Sequence, residues 1–109
     1  RVYLFPADKV APGSRVLVHG AGKVGQQYIK YIARTKKYEL AAWTDKNVDR
    51  EFEDIYIPCS IKDLPVFQYD YIVLAAAGDS ILEQMKEDVC NYNISEEKIV
   101  AVKPVSYKI

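Results

Sequence analysis

The stretch VLVHGAGKVGQQYIKYIART, Val16 to Thr35, places three glycines within six residues, between an apolar run and a helical pattern. Arg15 to His19 have the β-branched, apolar character of a buried strand, and the preceding APGS supplies the turn that starts it. From Gly22 the spacing changes to Val24, Tyr28, Tyr31, Ile32 and Thr35, steps of three and four that predict a helix from about Gly22 to Lys37. Lys30, Arg34, Lys36 and Lys37 lie off that stripe or crowd its last turn, where positive charge complements the carbonyl end of the helix dipole.

Outward from this unit, Glu39 to Thr44 form a second apolar run, and DKNVDREFED after it is charged enough to predict an exposed loop. Ile55 to Ile57 predict a short strand that Pro58 ends, and Ser60 with Asp63 three residues on predicts one capped helical turn. Tyr69 to Ala77, YDYIVLAAA, is almost uninterruptedly apolar, as a strand buried on both faces should be. Gly78 breaks it, Asp79 or Ser80 caps the next helix, and Ile81, Leu82, Met85, Val89 and Tyr92 make its apolar stripe as far as about Asn93. SEEK is a turn with its own cap at Ser95, and Ile99 to Val102 predict a final strand before Pro104. Strands alternating with helices in this order predict an α/β fold: a three-layer, Rossmann-like arrangement with a mostly parallel sheet of four to five strands.

In GAGKVG the glycines are Gly20, Gly22 and Gly25, directly after a strand and at the mouth of a helix. Gly20 suits the tight turn, Gly22 lets backbone approach a pyrophosphate, and Gly25 lets the helix pack on the strand. The free amides of the helix start, at Lys23 and Val24, then face an anion. Asp45 stands at the end of the second strand, about 20 residues further on, where a carboxylate accepts hydrogen bonds from ribose hydroxyls. A 2′-phosphate beside that carboxylate is repelled, which favours NAD over NADP, an argument that neighbouring Lys46 softens. Ala76, Ala77, Gly78 and Asp79 end the central strand at the same sheet edge, where small residues leave room for a ring. These residues together make the expected cofactor cradle. The alternative is that the glycines only permit the turn and Asp45 is a solvated loop residue.

Composition narrows the partners. The 109 residues suffice for one domain with a modest core, taken as residues 1–109 with a lead-in at 1–14. Fifteen basic and fifteen acidic side chains cancel, which gives no footprint for nucleic acid. No apolar run approaches the roughly 20 residues of a membrane helix, and the first residues lack a signal-peptide pattern, so a cytoplasmic location is expected. Cys59 and Cys90 lie far apart with no metal-ligand spacing, and read as reduced, partly buried thiols. His19, without a Cys or carboxylate partner at ligand spacing, reads as neither metal ligand nor base. The chain starts without Met and stops soon after an apolar run, as a domain excised from a longer polypeptide would.

A complete catalytic constellation is missing from the pattern. None of the nine tyrosines has a Lys four residues later, so the Tyr-x-x-x-Lys pair of short-chain dehydrogenases is absent. GAGKVG lacks the four-residue spacing and the Lys-Ser/Thr ending of a P-loop, which disfavours NTP hydrolysis. S-adenosylmethionine folds share a glycine-rich first turn and an acid after strand two, though with more strands than this chain offers.

SRVLVHGAGKVGQQYIKYIARTKKYELAAWTDKN, then YDYIVLAAAG and ILEQMKEDVCNYNISEEKIV, resembles the Rossmann-like nucleoside-diphosphate-sugar epimerase/dehydratase-type, CoA-binding-like domains of bacterial polysaccharide biosynthesis proteins. The resemblance covers about Ser14 to Lys103. It implies a module that binds NAD or a nucleotide-sugar and serves other domains of a longer enzyme, whose catalytic residues lie in a separate domain. The alternatives are the cofactor half of a nucleotide-sugar oxidoreductase, and an inert interaction module that uses exposed tyrosines to form a homodimer or dock a neighbour.

Overall fold

The computed structural model describes residues 1–47 and 58–109. Its centre is a five-stranded, all-parallel sheet built from β2 (Arg15–His19), β3 (Glu39–Asp45), β4 (Cys59–Ser60), β5 (Tyr71–Leu74) and β6 (Ile99–Val100). The spatial order is β4-β3-β2-β5-β6. The chain therefore winds outward from β2 in one direction, then returns across it to wind in the other. β2, flanked on both sides, is the most buried strand: Val16, Leu17 and Val18 have no exposed surface. That is what a near-continuous apolar run in a parallel sheet requires.

Alternation along the strands sorts side chains to two faces. Val16, Val18 and Val73 pack with helix α1 (Lys23–Thr35), whereas Leu17, Ile72 and Leu74 pack with helix α2 (Asp79–Cys90). Three layers result, as the alternating sequence pattern predicts. A register shift between Val16 and Leu17 leaves Ala41 of β3 without an opposite residue. After the shift Leu17 faces Ala42, Val18 faces Trp43 and His19 faces Thr44.

The element edges are tighter than the apolar runs suggest. α1 begins at Lys23, with Gly22 as N-cap, and ends at Thr35 rather than Lys37 because Lys36 turns into the left-handed region at φ 55°. The predicted strand Tyr69–Ala77 is shortened to Tyr71–Leu74, and Ile99–Val102 to Ile99–Val100, since only those residues have a strand beside them. α2 stops at Cys90 instead of near Asn93. Ser60 caps a short 3₁₀ helix, Ile61–Val66, its Oγ accepting from the Lys62 amide at 3.2 Å. The strand expected at Ile55 to Ile57 lies outside the described residues, and β4 begins immediately after Pro58.

The lead-in is part of the core. β1 (Val2–Tyr3) pairs antiparallel with β7 (Ser106–Tyr107), and this ribbon lies against α1. Phe5 is 6% exposed, with its ring edge-on to Tyr28 at 5.3 Å, stacked on Tyr31 at 5.2 Å and tilted against Tyr38 at 5.3 Å. The Gln27 side chain fastens the ribbon: its Oε1 accepts from the Tyr3 amide at 2.7 Å and its Nε2 donates to the Arg1 carbonyl at 3.2 Å. One amide side chain thereby satisfies β1 as a neighbouring strand would. Burial with no hydrogen-bond partner pushes the Tyr28 phenol up to about 12.

Candidate functional site

The chain reverses its winding at β2 and β5, and the carboxyl ends of these strands mark the place where open α/β sheets bind ligands. Two turns meet there, one after His19 and one after Leu74. Gly20 adopts φ 121°, a conformation that glycine alone adopts readily. A Cβ on Gly20 would lie 2.6 Å from the Ala75 carbonyl oxygen and 3.1 Å from the Met85 methyl. The two turns thus touch each other, and Met85 covers the junction.

Gly25 is as constrained for a different reason. Its missing Cβ would collide with the Gly20 carbonyl oxygen, so α1 approaches β2 only because this position is glycine. The same carbonyl accepts a 2.8 Å hydrogen bond from the buried Trp43 Nε1. Gly20 and Gly25 therefore have packing work to do whether or not a ligand is present. Gly78, by contrast, has ordinary room for a side chain.

Open space lies one strand over, between the end of β3 and α2. This cleft, about 270 Å³, is walled by Ile81 and Met85 and carries His19, Asp45, Lys46, Gln84, Ser80 and Asp88. Ile81, Gln84, Met85 and Asp88 follow one another at steps of three, one and three, so a single face of α2 forms the wall. This corrects the stripe read for α2: Leu82 and Val89 are its buried residues, whereas Ile81 is 54% exposed and looks into the cleft.

Asp45 is 9% exposed at the carboxyl end of β3, and its carboxylate accepts no hydrogen bond from the described residues. A carboxylate so placed has acceptor capacity left for a ligand donor. His19 is 1% exposed, and its Nδ1 lies 2.8 Å from Thr44 Oγ1. Burial lowers its pKa against the opposing pull of Asp45 and Asp88, and the net direction leaves a neutral imidazole at pH 7. With Nδ1 engaged, Nε2 is the nitrogen available to a ligand. Lys46 Nζ reaches Asp88 Oδ2 at 3.8 Å and joins β3 to α2 across the cleft. Among the described residues no group of three or more His, Cys, Asp or Glu side chains is arranged to hold a metal ion.

Of the cradle expected from sequence, Asp45 alone lines this cleft. Gly20 and Val24 are buried in packing, Ala76 is 7% exposed, and Ala77 and Gly78 are half-buried, with Asp79 exposed at the start of α2. Gly22 lies at the start of α1, where Gln26 donates the first helical hydrogen bond to its carbonyl at 3.0 Å; the preceding amides have no helical acceptor. Lys23 lies on a different groove, along the outer face of α1. Sequence reasoning missed His19, because its partner Thr44 is remote in the chain and becomes adjacent only through the β2–β3 register. It missed the α2 face because a helix presenting apolar residues to a cleft has the same spacing as one burying them.

The cleft offers two carboxylates, a neutral imidazole, an ammonium, a hydroxyl, an amide and apolar walls. Among the described residues no helix is long and apolar enough to cross a membrane. Residues 13–100 match the model of one protein family, described as C2185-like, N-terminal. No curated protein matches the chain.

Proposed function

The chain belongs to the C2185-like N-terminal family, and for this member we propose a nucleotide-binding accessory role, with NAD(H) or a nucleotide-sugar as ligand and sugar or polysaccharide biosynthesis as its setting. The observation that carries the reading is Asp45, 9% exposed at the cleft beside the strand reversal, whose carboxylate accepts no hydrogen bond from the described residues. Ribose hydroxyls are donors of the right kind for it.

Size refines the reading. About 270 Å³ lies at the small end of ligand sites and suits a nucleoside rather than a whole dinucleotide. The base would lie against the wall formed by Ile81 and Met85 and the ribose on Asp45, with the phosphates leaving toward the free amides at the start of α1. NAD would supply a hydride acceptor when bound; this chain's residues would only bind and orient it. The biosynthetic setting rests on the resemblance of the glycine turn, Asp45 and the YDYIVLA strand to polysaccharide-biosynthesis domains.

Calorimetric titration with NAD, NADH, NADP and a UDP-sugar tests the reading. Saturable binding of NAD, NADH or the UDP-sugar that Asp45→Ala weakens by about 1–3 kcal/mol, the scale of a hydrogen bond to a charged group, is the expected result. Binding by none of them, or binding indifferent to the substitution, would remove Asp45 from the account.

A further inference from the structure

A second groove runs between α1 and the β1–β7 ribbon, about 660 Å³ in volume and sharing no lining residue with the cleft. Its floor is Tyr3, Phe5 and Tyr31, and Tyr107 and Ile109 stand exposed at its margin. Lys23 and Arg34 line it from α1 and Arg1 from the ribbon, whereas no Asp or Glu among the described residues does. In a chain whose charges sum to zero, this is a local segregation of positive charge over an aromatic floor.

Two details argue for a ligand. Lys23 is exposed and occupies the first residue of α1, where the helix dipole disfavours a cation, and the first turn holds no acidic residue to compensate. Gln27, one turn beyond, is already committed to tying down β1, so the groove's outline is fixed before anything enters it.

We propose that this groove binds an extended acidic peptide segment of a partner protein, its carboxylates meeting Lys23 and Arg34 and its apolar side chains meeting the exposed Tyr107 and the half-buried Tyr3. Length favours a polymer: Lys23 and Arg34 are eleven residues apart, about 16 Å along a helix, which is more than one diphosphate spans. An extended peptide covers that distance in about five residues. The rings favour a peptide over single-stranded nucleic acid, which needs successive free stacking faces. Tyr31 is stacked against Phe5 at 5.2 Å and has the Arg34 guanidinium 6.0 Å from its ring centre, which leaves Tyr107 as the exposed ring.

Fluorescence anisotropy with a labelled octapeptide of alternating Glu and Leu tests this, beside a Lys-for-Glu peptide and an oligothymidylate. The acidic peptide should bind saturably at low salt and weaken as salt screens the contact. Lys23→Glu with Arg34→Gln should reduce that binding about tenfold, as expected for loss of charge-assisted contacts. The fold should survive the pair of substitutions with little net change in thermal melting, because both side chains are exposed and the carboxylate that suits the start of α1 offsets the lost Arg34–Tyr31 contact. Absence of saturable binding, equal binding by the doubly substituted chain, or preference for the oligothymidylate would overturn the proposal.

Discussion

Helices α1 and α2 cover opposite faces of one sheet, yet α1 buries Val24, Gly25, Tyr28, Ile29 and Ile32, whereas α2 buries only Leu82 and Val89. On the α1 side the lead-in adds Phe5 and Val10, Trp43 closes over Gly20, and three tyrosine rings meet around Phe5. On the α2 side a cleft lies between the helix and the end of β3, lined by Met85 and Asp45. The contrast teaches that Gly25 serves the closed face, where backbone must meet backbone, and that space for a ligand opens on the other face, which the glycine turn touches only through Met85.

The strongest way to break this contrast is Gly25→Ala. The added methyl collides with the Gly20 carbonyl, and neither backbone segment can yield without moving α1 off β2. A loss of about 3 kcal/mol or more in urea unfolding is expected, at the upper end of overpacking costs. A loss below about 1 kcal/mol would mean that α1 is free to shift, and the closed face would not be closed.

His19 tests the middle of the molecule. Its pKa is lowered on folding by burial, so the unfolded chain binds the proton more readily than the folded one. Stability should therefore fall as pH drops below about 6.5, the ordinary histidine value, toward the lower folded-state value. The His19→Gln chain should lose that part of the pH dependence between about pH 7 and pH 5. Identical pH profiles for the two chains would show that the imidazole is not held neutral at the cleft.

Ile81→Ser should have the smallest effect on stability, within about 0.5 kcal/mol, because Ile81 is 54% exposed. Its nucleotide affinity should fall all the same, through loss of the apolar wall. A cost on the scale of a core truncation, about 2 kcal/mol or more, would place Ile81 in packing and erase the distinction between the two faces.

Much of the fold was legible because apolar content and burial coincide in it. The Val16–Val18 run and the Val24, Tyr28, Ile32 stripe have single structural solutions, and both lie where the sequence places them. The lead-in was not legible: Phe5 precedes a proline and belongs to no periodic pattern, and its worth comes from Tyr28, Tyr31 and Tyr38, which the chain supplies later. The β7 strand escaped for a similar reason, since two residues beyond Pro104 carry no signal until β1 lies beside them. At the candidate site, Asp45 was readable from its distance to the glycine turn. His19, Met85 and Asp88 were not, because a parallel register and one face of a helix bring them together, and neither is written in local spacing.

If the proposed function holds, the open face between β3 and α2 takes the nucleoside end of the ligand. Amide chemical-shift mapping of the ¹⁵N-labelled chain during titration with NAD reads that face directly. The predicted result is saturable shifts at His19, Asp45, Lys46 and along Ser80 to Asp88, with smaller ones at the Lys23 and Val24 amides where the phosphates would reach α1 and the rest of α1's outer groove unmoved. Shifts confined to the α1 groove, or none at saturating NAD, would contradict the claim and leave the glycine turn as architecture alone.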